Sequence, residues 1–275
     1  VYPTSSPFIM SSHSANSGND GSASGAMLPV DDRLVVVSGS EESVPESVEV
    51  SEAAPEGRPL VSSEDDATMR LSFLTRSDTD SWKEKYMVNT DIHILTCHER
   101  ACYPPAGYQS IYQDALVAGL RVPPHPFIIA LMNFYQVGLG QIVPNSWRLV
   151  ISFLVVALRE GISLSVELFN VFFALASQPG KNSWYYFRGR EGKSFIANPI
   201  SSVKEWKNKY VFVRTEGVVC RWNFDYVAPA LKLKTAAKNC KAEIRRIEAL
   251  GAVTASAELL SNESMRRAGV FGHGR

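Results

Sequence analysis

The sequence predicts a mainly α-helical fold. A compact helical bundle with a small β-hairpin or sheet element is expected between a long disordered N-terminal segment and a helical C-terminal tail. Three observations carry this expectation. Residues 1–70 are dominated by Ser, Gly, Ala, Glu and Pro and hold no sustained apolar period. From Tyr108 to Ser177, apolar residues recur at three- and four-residue spacing between Pro and Gly punctuation. After Pro179-Gly180 the period changes to short aromatic or β-prone runs. The expected division is therefore 1–70 disordered, 71–226 a folded domain centred on Trp82–Asp225, and 227–275 a basic helical tail.

Each element has a local reason. "SSHSANSGNDGSASGA" (11–26) has a flexible-linker composition, and "EESVPESVEVSEAAPEGRPLVSSEDD" (41–66) is acidic and proline-broken. Such stretches cannot bury enough apolar surface to offset the entropy of ordering them. "RLVVV" (33–37) is an isolated apolar run, read as a transient strand or a short partner-binding motif. Order is expected from about Leu71, with Asp80 or Ser81 capping a short helix that contains Trp82 and Tyr86. "YPPAGY" (103–108) is a turn or extended connection. "IYQDALVAGL" places Ile111, Ala115 and Ala118 or Gly119 on one helix face, and "RVPPHP" stops it. The next helix starts at Pro126 and ends by Gly138 and Gly140. Pro144 and Asn145 open a third, apolar almost all round and so central to the bundle. Ser163 or Ser165 caps "SLSVELFNVFFALAS". "SWYYFRGR" and "SFIANP" around "REGK" read as a hairpin, "SSVKEWKNKY" as a short helix, and "YVFVR" as a strand. "LKLKTAAKNCKAEIRRIEAL" is a basic helix broken at Gly251, without enough heptads for a coiled coil.

The chain is 45% hydrophobic and 20% charged, as globular proteins are. Its formal net charge of +0 divides unevenly. Residues 1–80 hold 14 acids and 4 bases, so −10; the remainder holds 14 acids and 24 bases, so +10. The acidic part repels nucleic acid and the basic part attracts it. Cys97, Cys102, Cys220 and Cys240 form no Cys-x-x-Cys pair and are read as reduced thiols of an intracellular protein, nucleus and cytoplasm not being distinguished. The start at Val1 rather than Met is expected of a fragment, and no secretory signal is read in it. The longest apolar run, Leu149 to Leu158, is too short to span a bilayer, so no membrane partner is expected.

Several motifs in collinear order resemble one family. "PPAGYQSIYQDALVAGLRVPPHPFIIALMNFYQVGLGQIVPNSWRLVISFLVVALREGISLSVELFNVFFALAS", "WYYF" (Trp184–Phe187) and "EWKNKYVFV" (Glu205–Val213) are similar to the signature of the plant "putative gypsy-type transposase" domain. Glu205 stands where that family often has Gly. The resemblance implies origin in, or domestication from, a plant long-terminal-repeat element, without implying a demonstrated reaction.

Strand transfer needs clustered carboxylates around divalent metal. The acids of the module, Asp114, Glu160, Glu167, Glu191, Glu205, Glu216 and Asp225, read as helix surfaces and helix ends. "SDTDS" (77–81) is not a protease turn, and neither a Tyr-x-Asp-Asp strand turn nor a Gly-x-Ser-x-Gly elbow occurs. His93, Cys97, His98 and Cys102 have the wrong spacing for a zinc knuckle. His125, between prolines, reads as a turn residue, and "GLGQ" (138–141) as a helix cap rather than a phosphate loop.

The basic–aromatic region carries more. Arg188, Arg190, Lys193, Lys204, Lys207, Lys209 and Arg214 lie close in sequence to Trp184, Tyr185, Tyr186, Trp206 and Tyr210. Such residues could grip a phosphate backbone and stack bases, whereas the plainer reading makes the rings core and the bases a solvated face. The expected function is a non-catalytic, gag-like interaction or assembly module with self-association, the alternatives being a nucleic-acid-binding module or a strand-transferring transposase. No catalytic residue, metal or cofactor is assigned. Phe127, Leu131, Trp147, Phe153, Leu168, Phe172 and Phe173 are the expected core, each contributing about 1.5–3 kcal/mol before entropy. Trp147→Ala is expected to destabilise the fold by about 3–5 kcal/mol; an unchanged thermal unfolding curve would remove Trp147 from the core.

Overall fold

Residues 67–178, 181–193, 195–197, 203–218 and 221–270 are described by the computed structural model. They belong to a unit running from Glu56 to Arg275. The acidic segment 1–66, with "RLVVV", lies outside the described residues, as do Cys220 and the expected caps Ser201 and Ser202.

The described residues form eight α-helices and five strands. Two small antiparallel sheets sit among the helices, so the architecture is mixed α/β and the expected mainly helical bundle is overturned. Two segments read as helix are partly strand. "YQSIY" is β2 (Tyr108–Tyr112), and only Gln113–Val117 coil into α2. "FALASQ" is β3 (Phe173–Gln178), which follows α5 (Val166–Phe172) directly. Both runs satisfy a helical period, but their aromatic and β-branched residues also suit a pleated surface, and a pairing partner decides between them.

β2 pairs with β5 (Tyr210–Arg214) in the register Tyr112↔Tyr210, Ser110↔Phe212 and Tyr108↔Arg214. β1 (Ile92–His93) pairs with the other side of β5. β5 is therefore central, and Tyr210 through Val213 are buried irrespective of side-chain direction. β3 pairs with β4 (Lys181–Gly189), placing Phe173 opposite Gly189 and Leu175 opposite Phe187. The hairpin is thus β3–β4, not one centred on "REGK". "FIA" (195–197) instead forms a parallel bridge between Ile196 and Val253.

The helices start and stop where local chemistry directs. α1 (Arg76–Lys85) begins earlier than expected, because Thr75 caps it and Asp78 closes a capping box with hydrogen bonds of 2.7–2.8 Å to Thr75. α3 (Pro126–Tyr135) has Pro at its first position and ends on Gln136 at φ 55°. α4 (Pro144–Arg159) starts on Pro144 after a 3-10 turn over Leu139–Gln141. Ser165 caps α5, accepting from Leu168 N–H at 3.0 Å. α6 (Leu233–Asn239), α7 (Lys241–Ala249) and α8 (Asn262–Arg267) follow. Among the described residues, no helix is long and apolar enough to cross a membrane.

α4 is the axis of the core. Every residue from Leu149 to Ala157 is buried. Phe153 is ringed by Phe127, Phe169, Phe172, Phe173 and Phe195, with ring centroids 5.3–6.3 Å away. Leu131, Trp147 and Leu168 are fully buried in the same core. The C-terminal segment joins it through Ile244 and Ile247 on α7, Leu260 in the turn before α8, and Met265 on α8. Arg121, also buried, ties α8 to the end of α2. Its guanidinium donates to the carbonyls of Leu116 and Leu120 at 2.8 and 2.9 Å and to Asn262 Oδ1. Burial pushes this guanidinium down to about 10.

Gly140 sits against β2 with no room for a side chain. A Cβ there would lie 2.2 Å from Ser110 Oγ and 2.9 Å from the Ser110 carbonyl oxygen, so the 3-10 turn backs directly onto β2. Gly140→Ala is expected to cost about 1–3 kcal/mol through overpacking, read as a lower urea midpoint at unchanged m-value.

Candidate functional site

β4 carries Trp184, Tyr185, Tyr186 and Phe187, and the turn over Trp206–Asn208 leads into β5. Trp184, Tyr185, Phe187, Trp206 and Tyr210 are all buried; only Tyr186 is half-buried. Alternation along β4 does not leave one ring face in water because both faces of the hairpin are covered. The rings form a ladder between the two sheets. Trp184 meets Trp206 edge-on at 5.6 Å, Trp206 meets Tyr112 at 4.7 Å, and Tyr112 meets Tyr210 at 5.4 Å. Such contacts hold aromatic pairs together beyond the area they bury. Burial raises the Tyr112 hydroxyl far above its usual value and pushes Tyr210 up to about 12, so both stay neutral.

Several of the candidate cations are engaged inside the molecule. Arg190 Nε donates to the Asn170 carbonyl at 2.7 Å. Lys193 pairs with Glu248 and stands 5.7 Å above the Phe172 ring. Lys207 Nζ sits 4.4 Å above the Trp184 ring. Arg188, Lys204 and Lys209 are exposed. Arg214, also exposed, reaches Asp91 at 4.0 Å. Those with partners are engaged on separate elements, and most of the rings that would stack nucleobases are interior.

The candidate carboxylates are spread over separate elements: Asp114 on α2, Glu160 after α4, Glu167 on α5, and Asp225 in the 221–226 segment. Burial raises the Asp114 carboxyl above its usual value, against the opposing charges of Lys209 and Arg148. Among the described residues, no group of three or more His, Cys, Asp and Glu side chains is placed to hold a metal ion. His93 lies on β1, stacked on Phe212 at 5.9 Å and bonded to Glu99 at 2.8 Å. Burial pushes the Glu99 carboxyl up, but hydrogen bonds from Thr96 and His93 outweigh it and hold the carboxyl below its usual range. Cys97 is exposed and Cys102 is buried. His125 is the N-cap of α3: its Nδ1 accepts from Phe127 N–H at 3.1 Å, and burial lowers its pKa, which keeps that nitrogen free to accept.

Gln141 has a role that spacing alone does not reveal. Its side chain is fully buried, and its amide pairs with the backbone of Asn223 as a neighbouring strand would. Oε1 accepts from Asn223 N–H at 2.7 Å and from Gly138 N–H at 3.1 Å, while Nε2 donates to the Asn223 carbonyl at 2.7 Å. The Tyr185 hydroxyl donates to the same carbonyl at 3.3 Å, and Asn223 Nδ2 donates to the Gln136 carbonyl at 3.0 Å. Residues 221–226 are thereby strapped across the 3-10 turn and β4. Trp222 packs 6.2 Å from Trp184, and Tyr226 lies 4.7 Å from Tyr185. Between them, Phe224 turns outward to meet Tyr103 at 6.5 Å. The period of two in Trp222, Phe224 and Tyr226 was the available sequence signal. Tyr103 is 64% exposed and Phe224 37%, so the strap presents a ring pair at the surface.

Residues 111–177 match the model of a family described as "putative gypsy type transposon". The match runs from the end of β2 through α5 into β3. The "WYYF" and "EWKNKYVFV" segments lie beyond it, and nothing in the match speaks to a plant source. No curated protein and no solved structure matches the chain. Gln141→Leu would leave the Gly138 and Asn223 N–H groups and the Asn223 carbonyl short of a buried partner, at about 1–3 kcal/mol for each group left unsatisfied. Faster amide hydrogen exchange over 221–226 is the expected readout; protection equal to the parent would refute the clamp.

Proposed function

We propose that this chain, which carries a gypsy-type transposon-related domain over residues 111–177, acts as a non-catalytic interaction and assembly module. Its role would be gag-like, in a protein derived from a plant long-terminal-repeat element. The Tyr103–Phe224 ring pair supports this reading best. Large rings are costly to leave in water, and the fold buries most of its own: Trp82, Trp147, Trp184, Phe153, Phe169, Phe172 and Phe173 are all at or below 2% exposure. Tyr103 and Phe224 stay outside while touching each other, held by a strap that a buried glutamine fastens. Rings in such a setting are the residue types that anchor protein interfaces, and a second copy of the chain is the partner proposed.

A nucleic-acid-binding module is the second reading. The exposed Arg188, Lys204 and Lys209 favour it, and it proceeds through charge rather than base stacking, since Trp184, Trp206 and Tyr210 are interior. Sedimentation velocity across a concentration series tests the first reading. The full chain is expected to self-associate, and Tyr103→Ser with Phe224→Ser to weaken that association at least about tenfold, as truncated interface anchors do. A parent chain that stays monomeric at the highest soluble concentration would remove it.

A further inference from the structure

α6 and α7 are two consecutive helices that meet at Cys240, whose backbone (φ −99°, ψ 25°) leaves helical geometry. Cys240 N–H closes α6 on the Ala236 carbonyl at 2.9 Å, and Ile244 N–H opens α7 on the Cys240 carbonyl at 2.9 Å. Ala236, Cys240, Ile244 and Ile247 are buried on one side. Cys240 Sγ lies 3.9 Å from Ser165 Oγ at the start of α5. The opposite side therefore points to solvent. It carries Lys234, Lys238, Lys241 and Arg245 at four-, three- and four-residue spacing, all exposed. At 1.5 Å rise per residue, Lys234 and Lys238 on α6 stand about 6 Å apart along their helix, as do Lys241 and Arg245 on α7.

None of these four cations makes an ion pair or side-chain hydrogen bond with a described residue. The acids on the same helix do not offset them: Glu243 is half-buried and about 200° around the helix from Lys241 and Arg245, and Glu248 is taken by Lys193. Arg246, beside the row, is committed to the carbonyls of Glu160 and Gly161 at the end of α4. The other exposed residues interleaved with the row are Thr235, Asn239 and Ala242, so the face holds no large apolar side chain.

We infer that this face of α6–α7 is a contact surface for a nucleic-acid phosphate backbone, with Lys234, Lys238, Lys241 and Arg245 bearing on successive phosphates. A protein partner needs an apolar or aromatic anchor, which the row lacks. A phosphate backbone needs regularly spaced cations and polar donors and no anchor, which the row supplies. Binding of this kind is independent of sequence and steeply salt-dependent. The inference goes beyond the assembly reading and uses a different surface.

The test is fluorescence anisotropy of a short labelled DNA duplex of mixed sequence with the full chain, titrated with salt. The parent is expected to bind at low salt. Lys234→Gln, Lys238→Gln, Lys241→Gln and Arg245→Gln together are expected to weaken binding at least about tenfold and to flatten the salt dependence by about 3–4 in log–log slope, near 0.9 per lost phosphate contact. Substituting the three lysines with Arg should retain binding. Circular dichroism melting confirms that each variant folds, which four exposed, unpartnered side chains should not alter. The proposal is overturned if the parent does not bind at low salt, or if the Gln variant folds and binds as the parent does. It is equally overturned if Arg188→Gln, Lys204→Gln and Lys209→Gln cause the loss instead, or if polyglutamate competes as well as DNA at equal charge, which would make the partner an acidic protein. Self-association measured on the same samples separates this outcome from the assembly reading.

Discussion

A helix that is apolar on every side must be covered on every side, and α4 sets that requirement for the whole molecule. Leu149 through Ala157 have no solvent-facing member. Helices ridged onto such a rod cover stripes of it, and the gaps between them would leave apolar surface wet. The fold closes the gaps with different kinds of element. α3 and α5 supply Phe127 and Phe169, β3 supplies Phe173, and the loop after β4 supplies Phe195, all of them around Phe153. α8 and the turn before it add Met265 and Leu260. The small sheets are thus part of how a fully buried helix is wrapped.

The aromatic motifs answer to the same demand. Trp184, Trp206, Tyr112 and Tyr210 join one sheet to the other by edge-on and tilted ring contacts, and Lys207 closes the ladder over Trp184. Residues that look, in sequence, like a basic–aromatic nucleic-acid surface are here largely internal structure. The cations nearest the rings neutralise acids or cap carbonyls, as Lys193 and Arg190 do. Besides Arg188, Lys204 and Lys209, exposed cations stand on α6 and α7, where the neighbouring exposed side chains are small or polar.

Two of the buried polar groups bridge segments distant in sequence. Arg121 reaches Asn262, and Gln141 reaches Asn223. Burying a guanidinium or an amide is costly unless its donors and acceptors are met. Where they are met, the geometry admits only one docking of the partner segment. Gln141 in particular holds the strap in one register, and that register turns Phe224 outward beside Tyr103.

The sequence by itself determined the features that depend on a residue and its immediate neighbours. The starts of α3 and α4 at Pro126 and Pro144, a serine cap at Ser163 or Ser165, the buried character of Leu149–Ala157, the strand at Tyr210–Arg214 and the family resemblance carried by residues 111–177 were all legible there. Helix caps, proline geometry and an uninterrupted apolar run act within a few residues, so no partner is needed to read them. Tertiary structure decided what depends on pairing. "YQSIY" and "FALASQ" fit a helical period as well as a pleat, and became strands because β5 and β4 lie alongside to take their backbone hydrogen bonds. It also decided that Gln141 is a clamp, that Trp184 and Trp206 are interior, and that Tyr103 and Phe224 meet at the surface. The clamp and the surface ring pair depend on contacts across 82 or more positions, which the spacing of residues along the chain does not encode.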